Sequence, residues 1–480
     1  MFNRILTVAF LGISSLCLTA AKPNIILVMA DDQGWGQTGY RNHLALKTPN
    51  LDDMAANGLR FERFYAGGPV CSPTRATVLT GRTHDRTGVF DHGYALRNQE
   101  KTLAKAMKNA GYSTGHFGKW HLNGLRGPGA PIFKEDTHNP GNFGFDEWLS
   151  VTNFFDRNPI MSRKGKIEEH SGDSSEIIVD EALKFIKAKA AKKKPFFAVI
   201  WYGTPHDPWL ADNEDKKAFT KLSPKAKEHY GELVAMDRSI GNLREGLKKL
   251  KVYNDTLVWF TSDNGGLPRF DPPTTGGLRG FKGSMYEGGL RVPALIEWPA
   301  GIQNPRITDY PAGAVDIFPT LAKVAGLKNS AMLKPQDGQS LLKLFSQEIG
   351  PRKKPLPFRS RGRLAIVDND YKIISRPSSG KPKYELYNLK KDSAEQNNIF
   401  NKEQMTANKL IKKLITINTS ITASVKGRDY SEKKVNEQPP RIFWWESELY
   451  RPYLSEWINR PEYTSRLKRF LNSQQKNKQP

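Results

Sequence analysis

The sequence predicts an α/β fold, a doubly wound and mostly parallel sheet with helices on both faces, followed by a small C-terminal α+β subdomain built on an antiparallel sheet. Continuous apolar runs such as "NIILVMA" and "PFFAVIWY" are typical of strands buried on both faces. Helical patterns separate these runs, and strands that alternate with helices form parallel sheets. After about residue 350 the pattern changes to basic, proline-containing segments, which indicates a second unit.

The first predicted strand is "KPNIILVMADDQG", and the helix "TPNLDDMAANG" follows it, with Pro49 suited to its first turn and Gly58 to its end. A helix over residues 101–110 leads into the strand "YSTGHFGKWH". A helix over residues 174–193 precedes the strand "PFFAVIWYGTPH", and one over residues 223–250 precedes "DTLVWFTSDNGG". These alternations are the basis of the predicted parallel sheet.

The C-terminal part begins near residues 345–360, which divides the mature chain into a main domain, residues 22–350, and a subdomain, residues 351–480. The segment "YKIISRPSSGKPKYELYNLKKD" indicates a small antiparallel unit. From about residue 428 the chain is a basic, aromatic tail. Its tryptophans could stack on sugar rings or pack as an ordinary C-terminal element, and the sequence leaves both open: Trp444, Trp445 and Trp457.

The N-terminus "MFNRILTVAFLGISSLCLTAA" carries Arg4, an apolar run over residues 5–18 and small residues at Ala20 and Ala21. This is the pattern of a cleaved secretory signal over residues 1–21, and the run is short for a membrane span. No later segment approaches that length, so we expect no stable membrane insertion. The sequence therefore predicts an exported protein, either periplasmic or secreted.

The charge balance is strongly basic, with 73 Lys and Arg residues against 49 Asp and Glu residues among 480. The formal net charge of +24 favours an acidic partner, which could be nucleic acid, an anionic membrane or a polyanionic substrate. Export argues against nucleic acid and favours acidic substrates outside the cytoplasm. A basic surface that is merely solvated is the alternative that composition leaves open.

Polar side chains follow four predicted strands, where ligands gather in an α/β sheet. They are Asp31 and Asp32, Lys119 and His121, His206, and Asp263 with Asn264. The aspartates and the asparagine are oxygen ligands without thiolate or imidazole among them. Hard ligands of this kind suit Ca²⁺ or Mg²⁺ rather than zinc.

Cys71 is the only cysteine after the predicted signal, so the mature chain has no internal disulfide. It precedes a helix that we expect to begin near Ser72 or Pro73, and Arg75 lies one turn further on the same face. This position suggests an activated thiolate, with an inert buried cysteine as the alternative. A Cys-His hydrolase would use a nearby histidine as base, but the hard-metal site argues against thiolate chemistry.

The remaining basic candidates form a cationic ring suited to an oxyanion: Lys119, His121, His206 and Lys282. We interpret His206 as a general acid, since a histidine near its ordinary pKa can donate a proton at neutral pH. His84 and His138 are possible substrate contacts. The other histidines are expected to be structural: His43, His92, His116, His170 and His229.

The segment "CSPTRATVLTGR" resembles the signature of the type I, formylglycine-dependent sulfatases. "PNIILVMADDQGWG", "TPNLDDMAANGLRF", "GYSTGHFGKWHL", "TPHDP", "TSDNGG" and "FKGSMYEGGLRVP" resemble further blocks of that family in the family's order. "YELYNLKKDSAEQNN" is similar to the opening of the family's C-terminal subdomain, so the resemblance spans residues 22–400. The family belongs to the alkaline phosphatase superfamily, which agrees with the predicted fold.

The resemblance implies that a separate formylglycine-generating enzyme reads Cys71, Pro73 and Arg75 and converts the cysteine to formylglycine (3-oxoalanine). It also implies one Ca²⁺ ion, with ligands Asp31, Asp32, Asp263, Asn264 and the modified Cys71. By the same resemblance, Arg75 and His121 orient the hydrated aldehyde, Lys119 and Lys282 hold the sulfate, and His206 protonates the departing alcohol.

In such an enzyme one hydroxyl of the hydrated aldehyde attacks sulfur, and the other later expels sulfate as the carbonyl re-forms. The resemblance, the export signal and the basic charge predict a sulfuric ester hydrolase acting on sulfated carbohydrate. Two alternatives remain open at this point: a phosphate or phosphonate ester hydrolase of the same fold, and a non-catalytic polyanion-binding relative. We expect specificity to lie in four loops, residues 123–142, 153–171, 208–215 and 269–280.

Overall fold

The computed structural model describes residues 22–476, with side chains described through residue 474. The predicted secretory signal, residues 1–21, lies outside the described residues. Among the helices of residues 22–476, none is long and apolar enough to cross a membrane.

Seventeen strands build the described chain. They are β1 (Asn24–Ala30), β2 (Leu59–Tyr65), β3 (Ser113–Lys119), β4 (Leu125–Arg126), β5 (Glu147–Val151), β6 (Ile160–Arg163), β7 (Lys166–Glu169), β8 (Phe196–Trp201), β9 (Thr256–Ser262), β10 (Arg291–Glu297), β11 (Arg306–Thr308), β12 (Ala312–Gly313), β13 (Leu356–Ser360), β14 (Arg363–Asp368), β15 (Tyr371–Arg376), β16 (Lys383–Asn388) and β17 (Ile442–Phe443).

The α-helices are α1 (Pro49–Ala56), α2 (Cys71–Thr80), α3 (Leu103–Asn109), α4 (Ser174–Ala190), α5 (Asn213–Lys216), α6 (Pro224–Lys249), α7 (Glu287–Leu290), α8 (Ile317–Val324), α9 (Gln404–Val425), α10 (Leu454–Trp457) and α11 (Pro461–Lys476). Short 3₁₀ turns join them at Gly39–Arg41, His84–Thr87, Pro140–Phe143, Lys217–Phe219, Ala314–Asp316, Asn329–Ala331, Leu342–Phe345, Trp444–Glu446 and Glu448–Tyr453.

The main sheet has eleven strands in the order β11-β2-β10-β9-β1-β8-β3-β5-β6-β7, with β12 also paired to β2. Its centre, β9-β1-β8-β3-β5, is parallel throughout. β10 is antiparallel to β2 and β9, and β6 and β7 continue the other side as an antiparallel hairpin. The predicted mostly parallel sheet is therefore confirmed.

Alternate residues of β1 face opposite layers, as the pleat of a strand requires. Ile25, Leu27 and Met29 join the core on the side of α2, α3 and α8. The intervening residues of the strand join the core on the side of α1, α4 and α6. Because both faces are covered, the strand is continuously apolar after Asn24, which is the pattern the sequence showed.

The predicted antiparallel subdomain is the sheet β13-β14-β15-β16. Helix α9 packs on one face of it, with Leu410 and Leu414 against Ile366 and Ile373. The opposite face packs against Tyr65 and other residues of the main sheet's body. The four-stranded sheet is thus buried between α9 and the main domain.

A buried ion cluster joins this small sheet to the main domain. The Nζ atom of Lys372, on β15, lies 3.0 Å from Glu287 Oε1 and 3.0 Å from Glu395 Oε1, and none of the three residues is exposed. Burial raises the pKa of Glu395 to about 7, although Lys372 opposes the shift. One lysine therefore compensates two carboxyl groups that solvent does not reach.

The Lys372→Met substitution should lower the free energy of unfolding by about 3–5 kcal/mol, because it leaves buried carboxylates without their cation. Urea denaturation monitored by tryptophan fluorescence measures the change. Lys383→Met is the control, since Lys383 is exposed on the neighbouring strand β16, and it should change stability by less than about 0.5 kcal/mol. Equal stability of the two variants would contradict the role given to Lys372.

Candidate active site

The polar residues predicted at the strand ends meet at one edge of the main sheet. β9, β1, β8 and β3 are neighbours and parallel, so their carboxyl ends lie side by side. The segments that follow these strands carry Asp263 and Asn264, Asp31 and Asp32, His206, and His121, with Lys119 as the last residue of β3. The fold therefore brings together residues that are far apart in the sequence.

Three carboxylates and one thiol form the centre of the site. One ligand atom each from Asp31, Asp32, Asp263 and Cys71 lies within 4.8 Å of all the others, and all four residues are buried. Asp32 has a φ of 71°, an uncommon backbone conformation for a residue with a side chain, and its N–H donates to Asp263 Oδ1 over 3.1 Å. The backbone thereby holds two of the carboxylates in place.

Asn264 completes the oxygen-rich group. Its Nδ2 donates to Asp32 Oδ1 over 2.7 Å. Its Oδ1 is buried and has no hydrogen-bond partner among the described residues. A buried acceptor of this kind costs free energy unless something binds it.

Three basic side chains surround the carboxylates. Lys119 Nζ contacts Asp31, and Lys282 Nζ lies 2.6 Å from Asp32 Oδ2. Arg75 donates from Nη2 to Asp263 Oδ2 over 2.7 Å and from Nη1 to the Lys119 carbonyl over 3.2 Å. Each carboxylate therefore has a cation of its own.

These charges set the ionisation of the cluster. Burial opposes ionisation of Asp31, but Lys119 and His206 outweigh it and lower the pKa of this carboxyl. Lys282 and His206 likewise outweigh burial at Asp32 and lower its pKa. Burial together with the neighbouring Asp31 raises the pKa of Asp263. Of the three carboxylates, Asp263 is thus the one whose ionised form an additional cation would stabilise most.

The residues present fit a hard divalent cation. The donors are carboxylate oxygens and one amide oxygen, the ligand class that Ca²⁺ and Mg²⁺ prefer. The orphaned Asn264 Oδ1 and the raised pKa of Asp263 both indicate a place for positive charge among these groups.

Cys71 is the first residue of α2, a helix whose ten residues are all buried. The helix begins one residue earlier than the sequence predicted. Burial strongly raises the pKa of the Cys71 thiol, although Lys119 and Lys282 oppose the shift. Its Sγ donates to Asp31 Oδ1 over 3.5 Å. Burial thus favours the neutral thiol over the activated thiolate considered from the sequence.

His206 faces the same carboxylates. Its Nε2 lies 3.8 Å from Asp32 Oδ2, and its Nδ1 lies 2.6 Å from the Asp207 carbonyl, which only accepts, so Nδ1 carries the proton. Burial and Lys282 lower the pKa of His206, against the opposing effect of the aspartates. The pKa of His206 is therefore lower than the ordinary value expected from the sequence, because most of the imidazole is withdrawn from solvent, with the side chain 14% exposed.

His121 is a buried, neutral imidazole. Burial, with Lys119 and Arg75 nearby, lowers the pKa of His121 far below its ordinary value. Neither ring nitrogen has a hydrogen-bond partner among the described residues. Its φ of 54° and the bond from its N–H to the Thr152 carbonyl hold the ring at the end of β3.

A pocket of about 820 Å³ opens over this cluster. Four of the predicted site residues line it: Cys71, His121, His206 and Lys282. Arg75 and Lys119 do not line it, because they lie fully buried behind the carboxylates. His84 and His138 are buried away from it, and His84 instead binds the carbonyls of Val89 and Arg359.

Two of the four loops expected to set specificity reach the pocket, through Arg126 and Gly127 and through Asn153 and Phe154. The loops at residues 208–215 and 269–280 contribute no lining residue. Residues that sequence analysis did not single out line the rest: His92, Arg361, Phe443, Glu446, Arg466, Arg469, Phe470 and Ser473. His92, expected to be structural, lies at the pocket with its side chain 37% exposed.

The tail's tryptophans were expected either to stack on sugar rings or to pack as an ordinary C-terminal element. Trp444 and Trp457 are buried in an apolar cluster with Tyr450 and Tyr463, which is ordinary packing. Trp445 lines the pocket and stacks on Phe443, with ring centroids 4.7 Å apart. Trp444 and Trp445 belong to one buried cluster, with ring centroids 5.2 Å apart, and the sequence gave no signal that only Trp445 reaches the pocket.

Comparison with known proteins decides the family. A family model described as "Sulfatase" matches residues 23–327, and one for the C-terminal part of N-sulphoglucosamine sulphohydrolase matches residues 280–420. The chain belongs to the sulfatase family. This sulfatase is a sulfuric ester hydrolase with the alkaline-phosphatase-like α/β fold and a C-terminal subdomain, as the resemblance implied.

Similar proteins include enzymes of known name. N-Acetylgalactosamine-6-sulfatase of Sus scrofa is 32% identical over 402 residues, covering 77% of this chain and 74% of that protein. Arylsulfatase A of Homo sapiens is 29% identical over 405 residues, covering 75% of this chain and 76% of the relative. The crystal structure of Ps i-CgsB in complex with k-i-k-neocarrahexaose superposes with a TM-score of 0.72 at 25% identity, covering 93% of this chain and 100% of that one.

Proposed function

We propose that this sulfatase removes sulfate from a sulfated carbohydrate, using a formylglycine formed from Cys71 and one Ca²⁺ ion. The observation that carries the proposal is the position of Cys71. Its thiol is buried, lies 3.5 Å from a carboxylate of the oxygen cluster and lines the pocket. An oxygen nucleophile at this position suits the hard-cation site, whereas a thiol there, whose pKa burial raises, is a poor nucleophile.

Calcium would be held by Asp31, Asp32, Asp263, Asn264 and the modified residue 71. A bound divalent cation supplies Lewis-acid stabilisation of negative charge on the sulfuryl oxygens. The choice of Ca²⁺ is supported by the all-oxygen donors and by membership of the family.

The formylglycine would be made by a formylglycine-generating enzyme that reads Cys71, Pro73 and Arg75 in the unfolded chain. All three residues are buried in the folded protein, so recognition must come before folding is complete. When hydrated, formylglycine supplies one hydroxyl to attack sulfur and a second whose proton loss releases sulfate.

The chain's own residues then bind and orient the ester. Lys282 lines the pocket beside Cys71 and is suited to a sulfuryl oxygen. Lys119 and Arg75 lie behind the carboxylates, where they offset buried negative charge and fix the position of residue 71. His121 reaches the pocket with both ring nitrogens free of other described groups, and it is suited to orient a hydroxyl there.

His206 is proposed to protonate the departing alcohol. The Nδ1–H bond to the Asp207 carbonyl leaves Nε2 directed at the cluster. Burial lowers the pKa of this imidazole, but an anionic sulfate ester in the pocket would raise it again. Substrate binding would thus generate the acid that the reaction needs.

A carbohydrate substrate is supported by the relatives named for amino-sugar and carrageenan-type saccharides and by the basic pocket. The net charge of +24 suits attraction of a polyanion. The export prediction, periplasmic or secreted, places the enzyme where such polymers are found.

Calcium should stabilise the folded protein. At a Ca²⁺ concentration about 100 times Kd the gain is about 2.7 kcal/mol, so Tm should be higher with Ca²⁺ than with EDTA. Asp263→Asn should remove most of this difference, whereas Asp180→Asn, an exposed carboxylate on α4, should keep it. Differential scanning calorimetry measures the difference in Tm. A wild-type Tm that is the same with Ca²⁺ and with EDTA would contradict the proposed cation.

Cys71→Ser should release at most one equivalent of alcohol per protein, because serine has one hydroxyl and no second one to expel sulfate. Cys71→Ala should release none, and neither variant should lose more than about 1–2 kcal/mol of stability for so small a change in volume. The test is the burst and steady-state release of 4-nitrophenol from 4-nitrophenyl sulfate, with the mass of the intact protein. Sustained turnover by the serine variant would overturn the two-hydroxyl scheme.

A further inference from the structure

The pocket has a wall made by the end of the chain. We define the C-terminal wall as residues 441–474, which lie beyond the residues that either family model matches. Seven of its residues line the pocket that Cys71 also lines: Phe443, Trp445, Glu446, Arg466, Arg469, Phe470 and Ser473. This segment and the sulfate-binding end of the pocket face one cavity.

The C-terminal wall is firmly attached to the main domain. Its strand β17 pairs with β4, and the Tyr450 hydroxyl donates to the Pro131 carbonyl over 2.8 Å. Arg441 donates from Nε to the His92 carbonyl over 2.8 Å. Buried aromatic rings fill the space beneath, including Trp444 and Trp457. The wall is therefore a fixed part of the pocket, anchored at backbone groups as well as by apolar packing.

The arginines of the wall differ in their partners. Arg451 pairs with Glu448 at 2.6 Å, and Arg460 pairs with Glu462 at 2.6 Å and with Glu169 at 3.4 Å. Within residues 22–474, no carboxylate lies at ion-pair distance from Arg466 or Arg469, the two that line the pocket. The positive charge that faces the cavity is thus left for a ligand.

Other residues around the cavity strengthen this positive field. Arg126 also lines it and has its guanidinium 4.3 Å from the centre of the Phe443 ring. Glu446 is the only carboxylate lining the cavity among the described residues, and its Oε2 accepts from the Phe443 N–H over 2.7 Å. Arg126, Arg466 and Arg469 line the cavity together with Arg361, which pairs with Asp91, so the arginines outnumber this one carboxylate and the lining is positive overall.

Aromatic contacts connect the arginines to the reacting end. Phe154 stacks on His206, with ring centroids 4.5 Å apart and planes within 5°. The guanidinium of Arg466 lies 5.6 Å from the centre of the same Phe154 ring. Arg466 is therefore separated from the proposed acid by a single side chain, that of Phe154.

We propose that Arg466 and Arg469, with Arg126, form a second anion site that binds another acidic substituent of the substrate. The proposal rests on the proposed function and narrows it: the substrate is a saccharide that carries a sulfate or carboxylate in addition to the ester being cleaved. Guanidinium groups bind both oxyanions by paired hydrogen bonds, so the chemistry of recognition is shared. Phe443 and Trp445, which line the same cavity, offer apolar contact for a sugar ring.

The test compares kcat/KM for saccharides matched in all but the second charge. One pair is a chondroitin 6-sulfate disaccharide and the same disaccharide with its carboxyl group reduced to an alcohol. The other pair is a disulfated carrageenan disaccharide and its monosulfated counterpart. Wild-type enzyme should prefer the doubly charged member of a pair by about tenfold or more, since a hydrogen-bonded ion pair with charged partners is worth at least that much. If the carboxylate pair shows the preference, the second anion site binds a carboxylate; if the carrageenan pair shows it, the site binds a sulfate.

The double variant Arg466→Ala/Arg469→Ala should reduce that preference about tenfold, mainly through KM, and Arg466→Lys/Arg469→Lys should restore part of it. The matched control is Arg451→Ala/Lys468→Ala, which removes the same charge from the same segment at exposed positions that do not line the pocket. The control should keep the wild-type preference.

The two proposals fail separately. Release of sulfate from no saccharide and no aryl sulfate by protein carrying formylglycine would overturn the proposed function. Two results would overturn the second anion site alone. One is equal kcat/KM of the wild-type enzyme for the singly and doubly charged saccharides of each pair. The other is an unchanged preference for the doubly charged saccharide in the Arg466→Ala/Arg469→Ala variant.

Discussion

The site depends on holding three carboxylates together out of water. Two like charges about 4 Å apart in a protein repel by about 4 kcal/mol at an effective dielectric constant of about 20. Asp31, Asp32 and Asp263 lie within this range and are fully buried. Arg75, Lys119 and Lys282 offset this repulsion by pairing with the carboxylates. Because buried negative charge needs this compensation, Arg75 and Lys119 lie behind the carboxylates rather than in the pocket.

The backbone is equally constrained by this arrangement. The parallel pairing of β1 with β9 places Ala30 beside Ser262, so the two acidic segments leave the sheet at the same level. Gly265 then passes so close to α7 that a Cβ atom there would lie 1.9 Å from the Gly288 carbonyl oxygen. The first turn of α2 enters the same space and brings residue 71 to the carboxylates. The register of β1 with β9, the glycine at position 265 and the start of α2 together position the carboxylates and residue 71.

Much of this arrangement was predictable from the sequence, because apolar runs and helical patterns are local properties. β1, β3, β8, β9 and the helices between them were expected close to their observed bounds. β2 and β10 were not predicted: "LRFERFY" mixes charges into a strand, and β10 contains Pro293. Both are antiparallel neighbours whose pairing depends on the rest of the sheet.

The residues at the strand ends were also predictable, since parallel strands bring their carboxyl ends together. The depth of each side chain was not, because it depends on packing: Arg75 and Lys119 are fully buried behind the carboxylates, and His206 is withdrawn from solvent enough to lower its pKa although it lines the pocket. The C-terminal wall of the pocket was predictable only in part. Trp445 was one of three tail tryptophans that could stack on sugar rings. The arginines that line the pocket with it lie more than 300 positions after Cys71, in a segment without a recognised motif, and only the fold places them there.

The central claim is that the nucleophile is an oxygen absent from the encoded side chain at position 71. Mass spectrometry of the peptide that contains this residue, in active enzyme purified from its native host, tests the claim most directly. The account predicts an aldehyde, formylglycine, in place of the thiol, in a fraction that rises and falls with specific activity. Active enzyme whose residue 71 is entirely unmodified cysteine would contradict it.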